Sequence, residues 1–220
     1  MNTETLKTIH LAQKSDFSAT HIPLPSSKSE SNRVLIIDAL TEGKNNLSNL
    51  AEARDTQTMI SLLKKNPPVY DVLDAGTTMR FLTAYAVITN QNKVMTGTPR
   101  MCERPIGILV DALRTMGAEI HYLGVEGYPP VAIHGLPEQT SDKVKIRGDV
   151  SSQYISAMLM IAPLLPKGLE VELEGKVGSR SYIEMTLDSM SQFGIHYTWT
   201  DNKISVPHQS YQPTTFAVES

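Results

Sequence analysis

The sequence predicts an α/β domain made of repeated units, with apolar helices at its centre and sheets on the outside. Three observations predict it. Residues 106–117 and 183–194 carry apolar side chains at the same relative positions. These are Ile106, Val110, Leu113 and Met116 in one copy and Ile183, Leu187, Met190 and Phe193 in the other, one face of a helix in each. Both ends of the match are offset by 77 residues (183 − 106 and 194 − 117). Each copy is preceded by a helix and a strand and followed by a strand pair, and a looser third copy starts at Ser29 with its second helix near Asp55. A period of this length indicates a duplicated α/β unit, not a solenoid. Finally, the helices are of two kinds. Residues 34–40, 81–87 and 154–165 are apolar nearly all round and belong inside, whereas the helices starting near Asp55, Pro105 and Ser181 are amphipathic and belong nearer the surface.

In chain order, residues 5–11 form a candidate strand and a helix begins near Ser29. An amphipathic helix from about Asp55 leads to a strand at 69–73, and a helix near Thr77 leads to a strand at 93–98. Pro105 suits a first helical position, where its missing N–H costs nothing. Gly117 and Gly194 are plausible helix stops. Strands follow at 119–123 and 131–134. Lys143-Val-Lys-Ile-Arg147 and Glu170-Val-Glu-Leu-Glu174 alternate polar with apolar, as half-buried strands do. Between them a helix near Ser152 carries the longest apolar stretch, 154–165, too short to span a bilayer and closed by Pro166. A helix near Ser181 and strands at 196–200 and 203–206 complete the pattern.

Composition narrows the function. The 220 residues are 40% hydrophobic and 20% charged, enough to bury a sizeable core. Twenty Lys+Arg against 23 Asp+Glu give a net charge of −3, which disfavours general nucleic-acid or polybasic membrane binding. A single cysteine, Cys102, rules out an internal disulfide framework and a multi-cysteine metal site. The first twenty residues hold no apolar run fit for a signal peptide, so a soluble, cytoplasmic protein is expected.

Small polar residues crowd the start of each inner helix: Pro25-Ser-Ser-Lys-Ser-Glu-Ser-Asn-Arg33, Asp74-Ala-Gly-Thr-Thr-Met-Arg80 and Gly148-Asp-Val-Ser-Ser-Gln153. Helix N-termini carry unpaired N–H groups and the positive end of the dipole, and so favour anions. Ser29 and Arg33 are four apart and share a helix face, as do Gly76 and Arg80. Related by pseudo-symmetry, the three N-termini would form one anion pocket. Taken singly, each cluster is more simply a set of N-caps, although Lys28 and Arg33 tilt the first toward function. Arg100 and Arg104 lie in a strand-to-helix loop suited to carboxylate or phosphate, or to a plain surface ion pair with Glu103. No P-loop is present. The six histidines lack metal-ligand spacing, and no histidine is placed to activate Cys102.

Four stretches together resemble the 5-enolpyruvylshikimate-3-phosphate synthase family: Ser27-Lys-Ser-Glu-Ser-Asn-Arg33, Ala75-Gly-Thr-Thr-Met-Arg80, Gly97-Thr-Pro-Arg-Met-Cys-Glu-Arg-Pro-Ile106 and Val150-Ser-Ser-Gln153. They occur in order from about Ile22 onward. The resemblance implies two domains, each of three βαβαββ units with buried parallel helices and sheets outside. It also implies transfer of the enolpyruvyl group of phosphoenolpyruvate to the 5-hydroxyl of shikimate 3-phosphate, on the route to chorismate and the aromatic amino acids. No cofactor and no metal are expected. By motif, Lys28 contacts both substrates and is the catalytic candidate. Ser29, Arg33, Ser151, Ser152 and Ser179 hold shikimate 3-phosphate, with Tyr182 near its ring. Gly76 and Arg104 hold phosphoenolpyruvate, Gln153 touches both substrates, and Thr77, Arg80 and Arg100 give support.

The chain departs from the family pattern at Ser26, Glu30 and Asp74, the last an acid where phosphoenolpyruvate would be repelled unless it is paired or turned away. The family chain is roughly twice as long. Residues 22–220 are therefore read as its first domain, with 1–21 a strand segment associating with a second domain that is missing here. The complete enzyme is expected to be monomeric, and this chain inactive alone. The competing reading is a non-catalytic anion- or phosphate-binding module. RNA-terminal phosphate chemistry is disfavoured by the charge of −3 and the lack of a histidine nucleophile motif.

Overall fold

A computed structural model describes residues 24–220; the strand expected at 5–11 and the segment 1–21 lie outside the described residues. Serine hydroxyls start two of the inner helices. Ser27 accepts the Glu30 N–H ahead of α1 (Lys28–Leu40), and Ser151 accepts that of Gln153 ahead of α6 (Ser152–Ile161). The third inner helix, α3 (Gly76–Ile88), follows Ala75 with no side-chain cap. The three pack against one another, and their buried runs form the centre of the core. Residues 31–37 of α1 are all buried, including Ser31, Asn32 and Arg33. The outer helices α2 (Arg54–Lys65), α5 (Gly107–Thr115) and α7 (Arg180–Gln192) each bury a single face. A one-turn helix, α4 (Pro99–Cys102), lies between α3 and α5.

The sheets lie outside these helices. One contains β2 (Val69–Asp71), β3 (Lys93–Thr96), β4 (Glu119–Tyr122) and β5 (Val131–Gly135) in the order β2-β3-β5-β4. The other contains β6 (Lys143–Arg147), β7 (Leu169–Glu174), β8 (Thr198–Thr200) and β9 (Lys203–Val206) in the order β6-β7-β9-β8. Each has a parallel first pair joined through an inner helix and an antiparallel hairpin added after an outer helix. Two βαβαββ units are thus complete. Of the expected third, the described residues supply α1, α2 and a parallel pair, β1 (Asn46–Ser48) with β10 (Thr215–Ala217). These two strands were not anticipated, since each is held by a partner 169 residues away in the chain.

Alternation in β6 and β7 puts Val144, Ile146, Val171 and Leu173 inside. Outside, Lys143 faces Glu170 and Lys145 faces Glu172 in register, at 3.5 and 3.6 Å. Exposed pairs of this kind add little stability. They do disfavour a one-residue slip, which would turn the charges inward. Helix α5 begins two residues later than Pro105 suggested, because Ile106 and Gly107 both donate N–H to the Gly127 carbonyl of the β4–β5 loop, at 2.9 and 3.1 Å. A remote carbonyl does the capping here, which local sequence does not reveal. Among the described residues, no helix is long and apolar enough to cross a membrane.

Gly117 ends α5 with φ +106°, and a Cβ there would overlap the Glu138 carbonyl oxygen; Gly43 has φ +68° with open space around it. Gly43→Ala should cost about 1 kcal/mol, the left-handed backbone penalty alone. Gly117→Ala should cost at least about 3 kcal/mol, because backbone must also move. Urea unfolding of the two variants checks this; equal losses would contradict it.

Candidate functional site

The inner helices run the same way. The C-terminal residues Leu40 and Thr41 of α1 share a cavity with Leu164, and Ile88 of α3 shares another with it. Their N-termini meet at the opposite end around a cavity of about 350 Å³. Helix α1 contributes Lys28, Ser29 and Arg33, and α3 contributes Thr77. Ser151, Ser152 and Gln153 come from the start of α6, and Ser179 and Tyr182 from the start of α7. Every residue expected to hold shikimate 3-phosphate is therefore on one wall, and among the described residues no carboxylate lines the cavity. Ser151 is occupied as an N-cap. Ser179 has φ +51° and makes no cap bond, an unusual backbone for serine placed at the cavity. Tyr182 exposes 43% of its surface. A larger cavity, about 460 Å³, lies across one end of the β6–β9 sheet, where Lys143 is already paired with Glu170.

Arg33 borders the cavity but is 2% exposed and mostly engaged within the protein. Its Nε donates to Thr186 Oγ1 at 2.7 Å and Nη1 to the Ser29 carbonyl at 2.7 Å. Nη2 donates to Ser156 Oγ at 3.0 Å and to the Tyr182 carbonyl at 3.1 Å. It thus ties α1 to α6 and α7. Every acceptor is neutral. Burial pulls the guanidinium down to about 10, so it remains charged at neutral pH. Arg80 repeats the arrangement from α3. It is 3% exposed, with Nη1 donating to the Gly76 carbonyl at 2.9 Å and Nη2 to the Pro105 carbonyl at 2.7 Å. Tyr154 donates its hydroxyl to the same Pro105 carbonyl at 2.7 Å. Among the described residues Arg80 Nε has no partner, and burial lowers this guanidinium too. Arg80 does not line the cavity; it fixes the loop carrying Arg104 to the start of α3.

Gly76 lies against that loop. A Cβ on it would sit 2.5–2.7 Å from the Arg104 guanidinium, so only glycine lets this arginine lie over the helix start. Arg104 is exposed and donates to the Asp74 carbonyl at 3.4 Å. Gln153 Nε2 donates to Thr77 Oγ1 at 3.0 Å, joining the cavity to this second locus. Arg100 is exposed on α4, has no hydrogen-bond or ion-pair partner among the described residues, and does not line the cavity.

The three departures from the family pattern are engaged in the scaffold. Ser26 donates to Asn49 Oδ1 at 2.9 Å. Glu30 Oε2 accepts the Glu219 N–H at 2.8 Å. Asp74 lies 3.7 Å from Arg54, so its charge is partly offset. Sequence reading missed Thr186 and Ser156, which hold Arg33 across 153 and 123 residues. It also missed Asp55, whose Oδ2 is 3.2 Å from Lys28 Nζ. No local motif joins such distant partners. Among the described residues, no three of His, Cys, Asp and Glu are grouped so as to hold a metal ion.

Residues 13–66 and 64–220 match the family model described as EPSP synthase (3-phosphoshikimate 1-carboxyvinyltransferase). The 3-phosphoshikimate 1-carboxyvinyltransferase of Bacteroides fragilis strain YCH46 is 51% identical over 211 residues, covering 96% of this chain and 51% of the relative. That of Ralstonia pickettii is 40% identical over 200 residues, covering 79% of this chain and 46% of the relative. The solved EPSP synthase of Acinetobacter baumannii superposes with a TM-score of 0.77 at 21% identity, over 90% of this chain and 49% of that one, a likeness of fold. The chain spans about half the length of the curated relatives it matches. With the family model matched across the described residues, the chain belongs to the EPSP synthase (3-phosphoshikimate 1-carboxyvinyltransferase) family.

Proposed function

We propose that this chain forms one wall of a cytoplasmic shikimate-pathway enzyme that transfers the enolpyruvyl group of phosphoenolpyruvate to the 5-hydroxyl of shikimate 3-phosphate, releasing phosphate. The observation that carries this reading is the cavity at four helix starts. Among the described residues, hydroxyls, an amide and cations line it without a carboxylate, and the buried arginine beside it has only neutral partners. Such a site is poised for a polyanion, since the ligand supplies the charge the protein withholds. Shikimate 3-phosphate is assigned to Ser29, Arg33, Ser151, Ser152, Gln153 and Ser179, with its ring against Tyr182. Phosphoenolpyruvate is assigned to Gly76 and Arg104, reached by Lys28 and Gln153.

In the addition step the 5-hydroxyl oxygen gives up its proton and bonds to C2 of phosphoenolpyruvate while a proton is delivered to C3, and the C2–C3 double bond becomes single. In the elimination step the C2–O bond to phosphate breaks, one proton leaves the C3 methyl and the C2–C3 double bond re-forms, releasing inorganic phosphate. Lys28, between the two assigned sites, offers N–H donors to the anion that bears the developing charge. The opposite wall, with the acid–base groups for C3, is assigned to a second domain. Supporting this division, the chain matches about half of its relatives' length.

In this chain completed with the second half of the 51%-identical relative, Gly76→Ala should push the Arg104 guanidinium away by about an ångström. The KM for phosphoenolpyruvate should rise about ten- to hundredfold, with shikimate 3-phosphate affected less. Steady-state kinetics with each substrate varied checks this, and equal losses would remove the assignment. The chain alone should bind shikimate 3-phosphate weakly, and phosphoenolpyruvate at least about tenfold more weakly. It should not release phosphate, because closure against a second wall is impossible. Calorimetry and a phosphate-release assay test both points. A completed protein that binds both anions without turnover would instead support a binding module.

A further inference from the structure

We propose that Asp55 is the positioning residue for Lys28, a proposal that rests on the enolpyruvyl-transfer reading. The Lys28 ammonium, on the first residue of α1, donates to Asp55 Oδ2 at 3.2 Å and to no other described residue. Asp55 is held on backbone that cannot drift. It lies in the first turn of α2, where the helix dipole favours a carboxylate. The next residue, buried Thr56, donates to Asn32 Oδ1 of α1 at 2.8 Å. The Asp55 carbonyl accepts from Thr78 Oγ1 of α3 at 3.1 Å. The start of α2 is thereby pinned to the second turn of α1 and the first turn of α3, the helices assigned to the two substrates. From there the carboxylate fixes where the end of a long, flexible side chain rests.

Neither stability nor affinity accounts for this carboxylate. The pair is partly exposed, with 47% and 26% side-chain exposure, a setting in which an ion pair contributes little. A negative charge beside two polyanions opposes their binding. Orientation does account for it. With one N–H on Asp55, the ammonium keeps two more, enough for one substrate on each side. Asp55 does not line the cavity; it acts through Lys28.

The test uses this chain completed with the second half of the 51%-identical relative, comparing wild type, Asp55→Asn and Asp55→Glu. Asn keeps the size and the backbone contacts but loses the charge. Asp55→Asn should lower kcat at least about tenfold while the KM for phosphoenolpyruvate stays unchanged or falls, since a repelling charge is gone. Asp55→Glu, which restores a carboxylate within reach of the flexible lysine, should return kcat to within about threefold of wild type. Asp55→Asn with wild-type kcat overturns the proposal. So does a KM that rises as kcat falls, which marks a deformed site, or an Asp55→Glu no better than Asn. A wild-type protein that binds both substrates yet releases no phosphate overturns the enolpyruvyl-transfer reading instead.

Discussion

The arrangement on which the site depends is a buried guanidinium that bonds to the carbonyl four residues before it and meets no carboxylate. Arg33 does this toward Ser29 and Arg80 toward Gly76. Taking a cation out of water without a counter-ion is expensive, and hydrogen bonds to neutral acceptors offset only part of it. The remaining bonds of each arginine decide what is held together. Arg33 clamps α1 to α6 and α7, whereas Arg80 clamps α3 to the Pro105 loop. The same two side chains therefore fasten the helix starts and charge them. Structure and electrostatics are not separable at this end of the domain.

The relation between the two arginines also shows what the internal repeat does. Equivalent positions on successive inner helices carry equivalent contacts to their own helix, yet their outward contacts differ. The start of α1 presents Lys28 and Ser29 to the cavity, and the start of α3 presents glycine beneath an exposed arginine. Repetition supplies the common frame, and its divergence supplies two unlike surfaces side by side, the two proposed to take the two substrates. Gln153, bonded to Thr77, comes from the third inner helix and links them.

Much of this was legible from pattern. The helix starts at Lys28, Gly76 and Ser152 are marked by small polar residues, and β6, β7 and β9 end where their alternation ends. The convergence of Ser29, Ser152, Ser179 and Tyr182 followed from the repeat together with the family motifs. What escaped was non-local. The start of α5 is decided by the Gly127 carbonyl, and the three-residue strands β1 and β10 by each other. Arg33 borders the cavity beside Ser29, but its burial, which its spacing could not show, is set by Thr186 and Ser156, far along the chain. Asp74 looked hostile to an anion until Arg54 was placed beside it.

The pairing of β1 with β10 has a further consequence, for the order in which the domain can assemble. Sheets β2–β5 and β6–β9 are each made from a contiguous stretch of chain and can form as that stretch becomes available. The unit that carries Lys28 cannot. Asn46 pairs with Thr215, and Ser27 donates its N–H to the Glu219 carbonyl at 2.8 Å. Contacts between such distant residues close the longest loops in the described chain and carry the largest entropic barrier. The segment translated earliest among the described residues thus waits for the one translated last. Until then the two finished units must keep the apolar face of α1 covered, or leave it to chaperones.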